Sequence, residues 1–412
     1  MNSTTESTPR IKPLAAAPAL LSRLVATDLP RDYLVWDAFT EGKPRVDLQP
    51  LVLSPAQHLA AVRAAESTYH SVARARELAL ESPAEAEHYG FHPDVLQLAL
   101  AGRAAPRGSM ARVDLLLQTD GEFVACEVNA DCPGGHNEAL GLPVLARQAG
   151  YTRGTAPPPA IHALAQRLAK LAHEHDSPVG LLFSTAYAED LQVCALVERE
   201  LRARGVRTVR LGATALRVQS GDVYAWGERI RVLYRYLPLE YMEELPVASA
   251  LARAIEQGKV LMVSDSTEIF PQSKLAFARV QSLGLAPAGP CMSKTFDVRD
   301  VLDAELSAPH TDWVVKRALG RVGDQVFVGP LHSAAEWSQV LRFVRTRVQQ
   351  GERWLAQRFV PQRPVPTPFG PLLLTLGVYL LDGVFAGYFA RLSQDSLATH
   401  DALAVPVFVE HP

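Results

Sequence analysis

The chain has 412 residues, 48% of them hydrophobic, and a formal net charge of −3 at pH 7. That length supports a large buried core with two or three substructures, and the near-neutral balance excludes the broad basic field of a nucleic-acid or anionic-membrane binder. No apolar run approaches the roughly 18–20 residues of a membrane helix, and the four cysteines (Cys126, Cys132, Cys194, Cys291) form no CxxC pair, so unpaired thiols and a cytoplasmic location are expected.

The first dozen residues, MNSTTESTPRIK, are polar and read as disordered. PLAAAPALL, with Arg23 close behind it, reads as a helix start and not as a signal segment. From Ala17 to Gly102 the pattern is mostly helical; a Ser54 cap opens a long amphipathic run, and DVLQLAL continues in that style. RVDLLLQ, TDG and EFVACEVN then predict two strands joined by a tight turn, followed by a helix that ends at Gly150. VGLLFST, AEDLQVCALVERELRARG and RTVRLG form a strand–helix–strand unit, which implies parallel pairing. LRVQSGDVYAWG is a hairpin around Ser220-Gly221, and IRVLYRYLPLEYMEEL is a strand running into a loop and helix. Beyond about residue 260 come the strand LMVSDS, the helix SKLAFARVQSLG and two strands around a glycine loop in WVVKRALGRVGDQVFVG. A helix (EWSQVLRFVRTRVQQG) and late strands follow, the last two joined at Asp382-Gly383. The expected class is α/β with mixed sheets and much antiparallel pairing, divided as 1–12, 13–150 (helices plus the first hairpin), 151–258 (containing the βαβ unit) and 259–412 (strands and helices around the glycine loop).

The chemistry concentrates in the first hairpin. Arg112 and Asp114 lie two apart on one strand and share a face; Glu127 and Asn129 do the same on the next. If the TDG turn pairs the strands, two carboxylates, an amide and an arginine converge, a set that suits a hard cation such as Mg²⁺ beside a phosphate or carboxylate. The alternative is a solvated face, against which the apolar neighbours Leu115, Leu117, Val124 and Val128 argue. In DCPGGHNE, Asp131, His136 and Glu138 offer a second alternative, a metal-dependent hydrolase, although their spacing fits no zinc signature. Only seven of the 41 basic residues are lysine. Two of them, Lys274 at a helix start and Lys316 before Gly320 and Gly323, are placed to hold phosphates, with no Walker A or Rossmann fingerprint present. Arg391 ends a late apolar strand.

In order, R-x-D, E-x-N, SK, VVK with G-R-x-G, QRFVP and GYFAR resemble the circularly permuted ATP-grasp ligases, in particular the synthetase domain of glutathionylspermidine synthase. The likeness covers roughly residues 100–395 and has the carboxylates ahead of the lysines, as the permuted family does. It implies an ATP-grasp fold with a preATP-grasp-like substrate domain, and ATP and Mg²⁺ as cofactors. It further implies that Asp114, Glu127 and Asn129 are the metal ligands and that Arg112 and Arg391 stabilise the transferred phosphoryl group. Lys274 and Lys316 would hold ATP, with Gly320, Arg321 and Gly323 in the lid and Gln357 beside the adenine. Substrate contacts would fall to Asp131, His136, Asn137, Glu138 and, in VLYRYLPLEYM, Arg235. The family's NADTP stands here as NADCPGGHNE, a departure that bears on the substrate. The expected activity is ATP-dependent amide formation between a small carboxylate and a small amine through an acyl phosphate; nucleic acid and membrane are not expected as partners, and a homodimer is left open. A nucleotide-binding protein without turnover is the alternative from a non-enzyme class, its sign being loss of a metal ligand or phosphate lysine.

Overall fold

The computed structural model describes residues 8–105, 108–243, 245–307, 309–321 and 323–411. The predicted first hairpin is present, with strands Met110–Leu117 and Phe123–Asn129. It does not stand alone. Met110–Leu117 also pairs antiparallel with Gly370–Leu381, which pairs with Val384–Ser393, which pairs with Leu403–Val405; Val365–Thr367 completes six strands. The central sheet thus draws strands from 110–129 and from 365–405, far apart in sequence. The last long hairpin closes at Asp382-Gly383, whose φ values of 52° and 82° are the left-handed pair that a tight two-residue turn requires.

One face of this sheet is covered by helix Pro55–Glu81. Its start is a capping box: Gln57 N donates to Ser54 Oγ at 3.2 Å and Ser54 N to Gln57 Oε1 at 2.8 Å, with Pro55 at the first helical position. Its inward side is rich in alanine (Ala61, Ala64, Ala65, Ala75, Ala79), which lets the backbone lie close to the strands. This helix, the sheet, and Phe270 and Phe277 from the following region share one apolar core.

The predicted strand–helix–strand unit is Val179–Phe183, Ala188–Arg202 and Thr208–Leu211, with parallel pairing. Val232–Tyr236 and Leu261–Val263 extend it to four parallel strands, so the unit runs past residue 258 to Val263. The third sheet is antiparallel, in the order Thr295–Asp297, Trp354–Arg358, Trp313–Arg317, Val326–Val328. Helix Ala334–Gln349, which Ser333 and Glu336 cap, packs Trp337, Val340, Leu341 and Val344 against this sheet's residues Trp313, Val315, Trp354 and Ala356.

One expectation needs correction. Residues 1–7 lie outside the described residues, but Arg10–Ile11 is not disordered: it is a strand paired with Leu51–Leu53, which in turn pairs with Val407–Val409. The 17–102 region is mostly helical, as its pattern predicts, with a small hairpin of Phe39–Thr40 and Lys43–Pro44 and the buried strand Leu51–Leu53 set within it. The physical reason the short strands escape the sequence is that runs of two or three residues are too short to show a period, and a distant partner decides their state. Among the described residues no helix is long and apolar enough to cross a membrane.

Candidate functional site

A cleft of about 1430 Å³ opens between the central sheet, the antiparallel sheet and the loops of the parallel sheet. Its floor is built by strand register. Asp114 lies opposite Glu127 on one side and Gly377 on the other; Arg112 lies opposite Asn129; Arg391 lies opposite Thr375. Cross-strand partners share a face, so these side chains meet.

Asp114 is only 1% exposed. Arg112 grips it with two donors, Nε to Oδ1 at 2.6 Å and Nη2 to Oδ2 at 2.9 Å, and Arg391 Nη2 donates to Oδ2 at 2.7 Å. Burial of an unpartnered carboxylate would cost several kcal/mol, and the two guanidiniums supply the charge-assisted hydrogen bonds that offset it. The Asn129 amide reaches both carboxylates, at 3.4 Å to Asp114 Oδ2 and 3.2 Å to Glu127 Oε1. Its NH₂ group thus occupies the gap between two carboxylates, the position that suits a cation, and turning the amide over presents an oxygen there instead. Three hard oxygen donors around one gap fit Mg²⁺.

Glu127 carries the clearest electrostatic signature. Burial alone would raise its carboxyl, but Lys274, Lys316, Arg391 and the Asn129 amide overturn this and hold it down at about 2. Lys274 sits at the start of helix Leu275–Ser282, 3.5 Å from Glu127 Oε2, and donates to the Gly320 carbonyl at 2.6 Å. Burial lowers its pKa, against the pull of Glu127. Lys316 Nζ donates to Gln357 Oε1 at 2.8 Å; Gln357 in turn donates to Thr295 Oγ1 at 2.9 Å. Two lysines from two different elements therefore reach the same carboxylate cluster.

The glycine loop lies across the cleft. Arg321 donates to Glu240 Oε1 from Nε at 3.0 Å and from Nη2 at 2.8 Å, and reaches Asp131 Oδ2 at 3.5 Å and Cys132 Sγ at 3.3 Å. Gly323 takes φ +75°, and Val322 lies outside the described residues.

The expected substrate residues divide into two groups. Asn137 and Glu138 line the cleft; Asp131, His136 and Arg235 do not. Asp131 and Arg235 form an ion pair at 0% exposure, and Asp131 also accepts from Leu239 N at 2.8 Å while Arg235 donates to the Leu237 carbonyl at 2.6 Å. They brace the cleft wall from behind. His136 stacks on Tyr379 with ring centroids 4.6 Å apart, and burial drives its pKa down to about 3, so it stays neutral. Asn137 donates to the carbonyls of Tyr33 at 2.8 Å and Gln192 at 3.2 Å, which ties its helix to its neighbours. Among the described residues no three His, Cys, Asp or Glu side chains gather to hold a metal, which removes the ligand set of the hydrolase alternative.

Several cleft residues escaped the sequence. Glu240 lies in LPLEYM, in plain view, but only the clamp on Arg321 singles it out. Asp190, whose carboxyl burial pushes up to about 6, lies with Tyr187 and Glu189 at the mouth. Trp36, Asp37 and Arg45 come from the N-terminal region, where nothing in the sequence marks them. Arg45 joins Asp37 and donates to the His400 carbonyl at 2.6 Å. Phe389 lies beneath both Arg112 and Arg391.

Comparison of the sequence with curated proteins finds no match. Among solved structures, the chain is similar to a glutathione synthetase-like effector from Globodera pallida, in its apo form, with a TM-score of 0.60 and 10% identity over 97% of this chain and 99% of that one; at that identity the likeness speaks to fold alone. A profile described as glutathionylspermidine synthase preATP-grasp matches residues 34–410. That match takes in the hairpin carboxylates, the parallel sheet, both lysines and the late strands in the order found here, and the protein therefore belongs to the glutathionylspermidine synthase preATP-grasp family, with a mixed α/β, ATP-grasp-like fold.

Proposed function

We propose that the protein is an ATP-dependent carboxylate–amine ligase that forms an amide through an acyl phosphate and releases ADP and phosphate. The observation that carries this reading is the Glu127 carboxylate cluster, where Asp114, Glu127 and Asn129 face Lys274, Lys316 and Arg391 across one cleft. Asp114, Glu127 and Asn129 would hold Mg²⁺; bound there, the ion supplies neutralisation of phosphate charge. The chain's own residues do the rest. Lys274 and Lys316 supply ammonium donors for phosphate oxygens, and Gly320 and Gly323 let backbone come close to them. Arg112 and Arg391 present guanidinium donors where charge spreads over the moving phosphoryl group. The acid attacks the γ-phosphorus, ADP leaves, and the amine displaces phosphate from the acyl carbon. No side-chain nucleophile is required; positioning and charge neutralisation carry the rate. The arginine-tethered glycine loop suits exclusion of water from the acyl phosphate.

The sign of the binding-protein alternative is loss of a metal ligand or phosphate lysine; that Asp114, Glu127, Asn129, Lys274 and Lys316 all line one cleft supports the ligase reading instead. The test is ADP release with Mg-ATP and pooled amino acids, amines and short peptides. Substrate-dependent release is expected, and Glu127→Ala is expected to abolish it while leaving the thermal melt close to wild type. Full activity in that variant contradicts the assignment.

A further inference from the structure

Arg112 and Arg391 stand side by side in a low-dielectric floor although both are cations. Their shared partner Asp114 explains part of this. Asp114 is also a metal-ligand candidate, and its oxygens cannot serve two guanidiniums and a divalent cation equally. A second feature holds the arginines without competing for those oxygens. The Arg112 guanidinium carbon lies 5.5 Å from the Phe389 ring centroid and that of Arg391 5.6 Å from the same ring. Both distances are within the range where a ring quadrupole attracts a cation.

Strand register builds this arrangement. Gly377 pairs with Asp114 on one side and with Phe389 on the other, so the three form one row on one face. A Cβ at Gly377 would come within 2.7 Å of Arg112 Cδ and 3.0 Å of its Nε. The missing side chain is what lets Arg112 cross its neighbour strand and reach the ring. On the other side, Gly135 at φ +87° presses its backbone on the ring; a Cβ there would lie 2.6 Å from Phe389 Cδ1. Arg112 Nη1 and the Tyr379 hydroxyl both donate to the Gly134 carbonyl, at 2.8 and 2.5 Å, which fixes that turn against the same spot. Gly377 thus makes room for the Arg112 side chain and Gly135 for the ring itself, a joint fit that bulk alone would not require.

We propose that Phe389 is a positioning residue whose ring keeps the guanidiniums of Arg112 and Arg391 in place for phosphoryl transfer, with little part in holding ground-state ATP. This rests on the ligase reading for its consequence, but not for its geometry, so the two can fail separately. The test compares Phe389→Leu, which keeps apolar bulk and removes the ring, with Phe389→Tyr, which keeps the ring. In ¹⁵N-labelled protein the arginine Nε–H signals, assigned through Arg112→Lys and Arg391→Lys, are expected to be ring-current shifted in wild type and in Phe389→Tyr, and to lose that shift in Phe389→Leu. By calorimetry, Phe389→Leu is expected to bind Mg-ATP within about twofold of wild type. It is expected to bind Mg-ADP with aluminium fluoride, a mimic of the transferring phosphoryl group, about tenfold more weakly, the scale of one desolvated cation–π contact. Phe389→Tyr restores it. Unshifted wild-type signals, equal weakening of both nucleotide complexes, or no weakening of either overturns the proposal. If wild type binds no ATP, the ligase reading fails, while the arginine signals still decide the platform.

Discussion

At the scale of single residues, charge is placed in two different ways. Asp114 is almost fully buried and faces the cleft, so its oxygens are held by groups that a ligand can replace. Asp131 and Arg235 are equally buried but lie behind the cleft wall: Asp131 is held by Arg235, by the Leu239 amide and, at 3.5 Å, by Arg321, and Arg235 also donates to the Leu237 carbonyl. A buried ion pair contributes little net stability compared with apolar packing, yet removal of one member leaves an uncompensated charge in the interior. Asp131→Ala is therefore expected to lower stability by about 3–5 kcal/mol, whereas Glu138→Ala, at the cleft wall, is expected to stay within about 1 kcal/mol of wild type. Urea unfolding distinguishes the two, and an Asp131→Ala variant as stable as wild type contradicts the bracing role given to this pair.

At the scale of elements, the glycine loop between Trp313–Arg317 and Val326–Val328 is the part whose order depends on few contacts. Its tether is Arg321, bound to Glu240 in the 3₁₀ turn Leu239–Met242 after the parallel-sheet strand Val232–Tyr236. Glu240→Gln keeps the size and removes the charge, so it is expected to raise protease cleavage within residues 318–325 several-fold without nucleotide, and Mg-ATP with an unreactive γ-phosphate is expected to restore protection. Equal cleavage of wild type and variant argues against the tether. Elements were also where the sequence was most legible. The TDG turn, the alternation around it and the two-residue spacing of R-x-D and E-x-N suffice to place four side chains on one face, because strand period is local information. The Ser54 cap and the Asp382-Gly383 turn are local in the same sense. Phe389, Trp36 and Arg45 could not be read this way: their roles come from register and from neighbours hundreds of residues distant, such as Arg45 on His400. Asp131, His136 and Arg235 could be read as polar and clustered, but their burial could not, and burial is what moves them from the cleft surface to its support.

At the scale of the whole molecule, three sheets are arranged so that their functional ends meet at one cleft. The central sheet brings the carboxylates and arginines, the antiparallel sheet brings Lys316, Gln357 and the glycine loop, and the parallel sheet brings the wall at Glu240 and Tyr187–Asp190. On the proposed ligase reading, the cations beside the carboxylate cluster neutralise terminal phosphates, and no nucleophilic side chain is needed. Attack of the acid at the γ-phosphorus then transfers one carboxylate oxygen to inorganic phosphate, while attack at the α-phosphorus would leave it in AMP. The most direct measurement is ³¹P NMR of the products formed from Mg-ATP, an amine and an acid whose carboxylate is labelled with ¹⁸O. ADP together with isotope-shifted inorganic phosphate is the predicted result; isotope-shifted AMP with pyrophosphate would contradict it.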